Sequence, residues 1–582
     1  MDSASSARSS PAPTIGGFKE FADAFKGRFG AGAIYCRSTT VLNTKSEKRI
    51  RLMSGAIRAK PDWIPKMANA VIRRRWVREA REQGLTEAEI DYVFDELAFY
   101  ASLHVPGSGI MLSAVEQVWV SDTLIDDETT QELKRYAAIL EDVPDKDKDW
   151  HPNSNDQVLN LVHPSLYPLI YKSSSILSKP IASPTDAVNL KTFGNFPGSL
   201  EAWRKAVEST SDGDCDGDNS STAKYVIPGR NTEYLSERFC WLPTEFQVND
   251  DGTVGIESYI NNLHPIQHAA FYPTIATIFS KFVPMLEHVI TDLIYPRELR
   301  VVPDPYNWFY GEEEEPEDYD ASDYDERYEE WKDNRGFVDP QPDPFVAPKR
   351  QLTPISLRGR RLQAIFKMSN IQLTPEKPEY EGGNWHVEAM ANERIVATGI
   401  YYYDVENITE SNLSFRESVS EDLDYEQGDF DGVNRAYGIY EDGRDDTVPL
   451  IQEIGKVEAK NGRCIVFPNV YQHKVSGFKL ADPTKPGHRK IFAFFFIDPT
   501  TRIPSTEIVP PQQKSWWADS VLNSTLVNTL PQLIQTAIMD RVEFPLSLDQ
   551  AKAIRLELME ERSVNSSSTD ESFAPEFYLC EH

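Results

Sequence analysis

The chain has 582 residues, a length that fits three to four domains of ordinary size, and its 40% apolar and 11% aromatic content supplies sizeable cores and excludes a chain disordered throughout. Its formal net charge of −31 argues against binding phosphate backbones, which need clustered Lys and Arg, so nucleic acid is not an expected partner. Cys36, Cys215, Cys240, Cys464 and Cys580 are odd in number and form no CxxC, which speaks against a disulfide framework or a zinc knuckle and for a reducing compartment.

Met1–Pro13 has no apolar core and is no secretory signal, and no run of 18 apolar residues is present. These features predict a cytoplasmic or nuclear protein without a membrane segment. Residues 1–17 read as a disordered tail. A helix-rich region follows over 18–310, with helical signals from near Trp63. Thr86-Glu87-Ala88-Glu89 is a capping box, after which Ile90, Val93, Phe94, Leu97, Ala98 and Ala101 recur at helical spacing. A second helix is predicted over about Asp127–Leu140. The polar segment 209–222 reads as a flexible insertion, and 254–293 as helix.

Residues 311–345 read as an acidic linker. Glu312–Asp333 carries thirteen acids against two bases, and Asp404–Asp446 carries fourteen against three. Both are expected to be solvated loops, because carboxylates in such number cannot be buried unpaired. From 346 to 515 the pattern changes to short apolar runs separated by turn residues. Leu362–Leu373, Trp385–His386 and beyond, Ile395–Tyr403, Leu413–Arg416, Arg463–Phe467 and Lys490–Ile497 are predicted strands of a sandwich or barrel. Residues 516–582 form a helical extension with a loose end, opened by the capping box at Ser547–Gln550.

His386 and Glu388 stand in Gly382-Gly383-Asn384-Trp385-His386-Val387-Glu388. On a strand, residues two apart share a face, so an imidazole and a carboxylate lie side by side. A non-haem iron site needs two imidazoles and one carboxylate on one octahedral face. Gly462–Val475 supplies the second imidazole: an apolar strand ends at Phe467-Pro468, and His473 opens the next strand. Sixteen residues on, Arg489 heads the apolar run Ile491–Ile497. An arginine there can hold a carboxylate through a bidentate, charge-assisted pair. Lys490 is its nearest substitute, since both faces of 489–497 are apolar.

The order H-x-E, His, Arg resembles the 2-oxoglutarate/Fe(II) dioxygenase superfamily. That resemblance implies a C-terminal double-stranded β-helix (jelly roll), which with the helix-rich N-terminal half and the helical tail read above makes an α+β chain. It implies Fe(II) held by His386, Glu388 and His473, 2-oxoglutarate anchored by Arg489, and O2 as co-substrate in oxidising an unidentified small molecule or protein. Glu388 departs from the commoner Asp and reaches one methylene further. Leu161–Leu169, Leu373–Tyr380, Gly383–Glu388 and Phe467-Pro468-Asn469 further resemble a large, mostly fungal family catalogued as a domain of unknown function. Two alternatives stand beside the dioxygenase: an inactive jelly-roll scaffold, and a cupin-type metal oxygenase that does not use 2-oxoglutarate. His163, His264 and His268 read as structural.

Overall fold

The computed structural model describes residues 42–189, 236–310, 316–348, 354–419, 429–438 and 447–578, short interior segments aside. The expected tail at 1–17, the insertion at 209–222, and Cys36, Cys215 and Cys580 lie outside them, as does part of each acidic stretch.

The N-terminal half supplies helices α1 (Lys45–Arg58), α2 (Ala70–Glu82), α3 (Glu87–Ser102) and α4 (Asp127–Glu141). α3 starts where the sequence predicts. The Thr86 hydroxyl accepts from the Glu89 amide, and the Glu89 carboxylate accepts from the Thr86 amide. This half also carries short strands β1 (Met111–Leu112), β2 (Trp119–Ser121), β3 (Asp149–Trp150), β4 (Val158–Val162), β5 (Thr244–Val248) and β6 (Val254–Ile256). The helix expected over 254–293 starts only at Tyr272, as α5 (Tyr272–Ile294). Ahead of it Gly252, at φ +88°, turns β5 into β6, and Pro273 in the first turn of α5 suits a helix start.

The C-terminal half supplies β7 (Arg361–Leu373), β8 (Ile395–Glu406), β9 (Asn412–Ser418), β10 (Ile451–Glu458), β11 (Cys464–Pro468), β12 (Gln472–Val475) and β13 (Gly487–Ile497). Every pairing within the sheets is antiparallel. The ten-stranded main sheet runs β1-β2-β11-β8-β13-β7-β4-β3, with β5 and then β6 also attached to β7. A second sheet runs β10-β9-β12. Strands from both halves of the chain therefore share one sheet.

Alternation along the strands gives the main sheet two distinct faces. Phe366, Met368, Tyr401, Tyr403, Val466, Phe492, Phe494 and Phe496 point to one face and pack in a core with α5 residues such as Phe279 and Phe282. Gly399 belongs there because Phe282 leaves no room for a Cβ, which would come within 2.8 Å of its ring. α5 with its preceding turn is long and apolar enough to cross a membrane. Here its apolar residues, among them Ile275, Ile278, Phe279, Phe282, Leu286 and Val289, are buried in this core. The opposite face, with Ile400, Tyr402, Ile465, Phe467 and Ala493, packs against Leu413, Phe415 and Val457 of the second sheet.

The acidic stretch differs from a plain loop. Its described part includes helix α6 (Tyr324–Asn334), with Tyr324 stacked on Tyr328 at 5.7 Å and Tyr328 beside Trp331 at 5.5 Å. Ring contacts at helical spacing add order that composition does not reveal, and its carboxylates remain largely at the surface. Cys240 and Cys464 are free and buried. Near the C-terminus α7 (Leu548–Phe573) opens with the predicted capping box, Ser547 and Gln550 bonding reciprocally at 2.8 and 3.2 Å.

Candidate metal centre

The segment 385–388 departs from the expected strand. His386 makes only an isolated antiparallel bridge to His473, with backbone bonds of 3.1 and 2.9 Å in the two directions. The bridge extends the second sheet beyond β12. Gly382, at φ +105°, allows the approach, since a Cβ there would meet the Val475 carbonyl at 2.8 Å. Past the bridge, buried Asn469 clamps Glu388: its Oδ1 accepts from the Glu388 amide at 2.8 Å, and its Nδ2 donates to the Glu388 carbonyl at 3.1 Å. Asn469 closes the Phe467-Pro468-Asn469 segment. Sequence reading marked it for kinship; its work is to fix the carboxylate-bearing backbone.

These constraints bring His386, Glu388 and His473 together. One ligand atom from each lies within 4.8 Å of the others. Glu388 Oε1 is 3.3 Å from His473 Nε2 and 3.9 Å from His386 Nε2. His386 Nδ1 contacts the Asn384 carbonyl at 2.8 Å, which aims Nε2 at the carboxylate. His473 is buried, with the edge of Phe467 against its ring at 4.8 Å. Burial alone would raise the Glu388 pKa; the His473 hydrogen bond, His386 and Lys367 outweigh it and hold it at about 2. Burial and neighbouring His473 lower the His386 imidazole to about 4. Screening tempers that drop, because 42% of the side chain meets solvent.

This donor set fits a divalent ion. Donors about 2.1 Å from one ion and at right angles sit about 3 Å apart. The observed spacings are slightly wider, and His386 and Glu388 are held as a neutral imidazole and a carboxylate, the forms that bind metal. Among the described residues it is the one cluster of three or more His, Cys, Asp or Glu with this spacing.

Arg489 and Lys490 part ways on β13. Lys490 points to the helical side and pairs with Glu141 at 2.9 Å. Arg489 stands opposite Ile371 and Val405, on the face that carries Ile491 and Ala493. It is buried, and Nη1 donates to the Ser411 hydroxyl at 2.6 Å. Its guanidinium lies 5.2 Å from the Phe478 ring centre and 5.5 Å from that of Tyr402. Nε has no hydrogen-bond partner among the described residues, and burial lowers the pKa of the group. His163 and His264 are capping acceptors for backbone amides, Ser165 at 3.2 Å and Ile266 at 3.1 Å.

The sequence profile of the family described as "Protein of unknown function (DUF4246)" matches residues 87–520. The chain belongs to that family. The match takes in His386, Glu388, His473, Arg489 and Asn469. No curated protein matches the chain. Three solved structures share small parts of it. IDO from Bacillus thuringiensis is 11% identical over 24% of this chain and 46% of its own, at a TM-score of 0.14. A bsmA homolog from Methylobium petroleophilum PM1 is 7% identical over 25% and 44%, at 0.15. The Fe(II)/(alpha)ketoglutarate-dependent dioxygenase TqaL is 10% identical over 46% and 70%, at 0.19. The chain thus spans under half the length of the first two, and overlaps of this kind leave the site to be read from its own geometry.

Proposed function

We propose that this protein is an Fe(II)- and 2-oxoglutarate-dependent oxygenase acting on a substrate still to be identified. The observation that carries the reading is the convergence of two imidazoles and one carboxylate at the second sheet. Strand orders of β7-β13-β8-β11 in one sheet and β10-β9-β12-His386 in the other support a double-stranded β-helix. His386, Glu388 and His473 would hold the iron on one face. Bound there with 2-oxoglutarate and O2, iron supplies the oxidising power for attack on a substrate C–H bond, 2-oxoglutarate leaving as succinate and CO2.

The chain's own residues do the positioning. Asn469 fixes the Glu388 backbone, and the Asn384 carbonyl fixes the His386 ring. Arg489 and the Ser411 hydroxyl receive the distal carboxylate of 2-oxoglutarate, a charge-assisted pair in a dry setting. Phe467, Phe415 and Tyr402 exclude water around them.

The test is anaerobic titration with Fe(II) or Mn(II), then with 2-oxoglutarate, followed by succinate release in air. The wild type should bind both and form succinate, and His473→Ala should lose the metal. Metal binding without affinity for 2-oxoglutarate would favour a cupin-type oxygenase. Binding of neither would leave a scaffold protein.

A further inference from the structure

We propose that Lys367 is a second anion anchor in the same interior and that it binds a carboxylate of the substrate to be oxidised, so that the substrate is a carboxylic acid. The inference rests on the oxygenase reading above.

The argument begins with strand parity. On β7, Phe366 and Met368 point into the helical core, so Ile365, Lys367 and Ile371 point the other way. Ile371 is the register partner of Arg489, and Lys367 that of Ala493. Lys367 therefore projects from the same face as Arg489, the face that packs against the second sheet. Its electrostatic neighbours agree: it acts on Glu388 and His386, and on His151 and His163.

Among the described residues nothing pairs with this ammonium. There its side chain makes no hydrogen bond and no ion pair, although it is partly buried and the chain holds 91 acids against 60 bases. Its one attractive charge is Glu388, which a bound metal would claim. Lys490, on the neighbouring strand, is paired with Glu141. On the same face of the main sheet, Thr398 buries its hydroxyl without a partner among the described residues. A cation without a side-chain partner and a buried hydroxyl without one, on the same face of the sheet, are what an incoming carboxylate would complete.

Lys367 and Arg489 do not serve one carboxylate. Ile371, the partner of Arg489, lies four residues from Lys367, about 13 Å along an extended strand. Neither cation figures in the other's electrostatic surroundings. Charge balance points the same way. A divalent ion, Glu388, Arg489 and the 2-oxoglutarate dianion sum to zero, which leaves the charge of Lys367 for one more carboxylate.

The experiment uses the full chain loaded with Mn(II) and 2-oxoglutarate, with Lys367→Met and Lys367→Arg alongside the wild type. Each is titrated calorimetrically with butyrate, octanoate and phenylacetate, each beside its neutral amide. Thermal unfolding checks that every variant is folded. At least one acid should bind the wild type ten times more tightly than its amide, or better. That preference should vanish in Lys367→Met and survive in Lys367→Arg, and 2-oxoglutarate affinity should stay within twofold in Lys367→Met. Equal binding of acids and amides by a wild type that holds metal and 2-oxoglutarate would overturn the inference and spare the oxygenase reading. So would a Lys367→Met protein that loses 2-oxoglutarate at least tenfold, since Lys367 would then hold the co-substrate. Failure of the wild type to bind Mn(II) and 2-oxoglutarate at all would instead bring down the parent reading, and this inference with it.

Discussion

Two regions of the molecule bury arginine in opposite ways. In the N-terminal half Arg300 reaches Glu47 at 2.7 Å, Glu96 at 2.8 Å and also Glu116, while Arg297 and Arg51 approach the same carboxylates. Every charge there has an opposite within contact. In the C-terminal half Arg489 is as deeply buried and meets one hydroxyl and two aromatic rings. Burial without a counter-ion is costly. The first cluster is complete and holds the α1–α3 layer to the chain at 297–300; the second has no carboxylate partner among the described residues, and the proposed 2-oxoglutarate would supply one. A saturated arginine is part of the structure, and an unsaturated one is where the proposed function puts its co-substrate.

The largest expected effect comes from breaking the saturated cluster. Arg300→Met leaves Glu47 and Glu96 charged, buried and short of a partner, so the chain should lose about 3–5 kcal/mol of stability, read by denaturant unfolding. A loss under about 1 kcal/mol would erase the distinction between the regions. Arg489→Leu should do the reverse: unchanged or higher stability, and a roughly 10- to 150-fold drop in 2-oxoglutarate affinity, the equivalent of about 1.5–3 kcal/mol. Calorimetry with the metal-loaded protein measures it, and normal affinity would refute the anchor. Arg489→Lys should fall between, keeping the charge and losing the fork.

Smaller effects sharpen the contrast. Thr86→Ala frees Glu89, which belongs both to the capping box and to the Arg49 pair, and should cost about 1 kcal/mol in thermal unfolding. The smallest is a titration. Burial first, and then Lys367 and Arg555, lower His151 to about 4. A histidine depressed in the folded state contributes stability present above its unfolded pKa, near 6.5, and lost as pH falls through about 4. Lys367→Met removes one depressing charge, so the His151 proton signals in NMR should titrate at higher pH, by under one unit because burial remains. An unmoved His151 would mean that the two groups do not share the interior.

The triad was legible in the sequence because residue type and order alone carry it. His386, Glu388 and His473 needed only a turn glycine before the first pair and an apolar strand before the last. The parting of Arg489 and Lys490 onto opposite faces was not legible, since both faces of β13 are apolar; the partner of Lys490, Glu141, lies 349 residues away. Lys367 was missed inside a run that reads as a wholly buried strand. A lone lysine among Ile365, Phe366 and Met368 was the available signal. Strands β7, β8, β9, β11 and β13 were legible as β-rich runs between turn residues; β10 was not, because Gln452, Glu453, Lys456 and Glu458 break up its apolar residues. Strands β1–β6 escaped because two to five residues are too few to establish a period, and pairing with β7 and β11 makes them strands. The Arg300 cluster joins positions 47, 96, 116 and 300, a separation no local pattern registers.

Helix α5 also has a consequence for how the chain is made. Its apolar side is covered by β13 and β8, and β13 ends at Ile497, 203 residues after Ile294. At about 5–20 residues per second, the ribosome delivers α5 roughly 10–40 s before the strand that shields it. For that interval the nascent chain displays a greasy helix of 23 residues with no sheet to lie on. Its handling during synthesis, by chaperones that cover exposed apolar segments, is thus a demand written into the order of the elements.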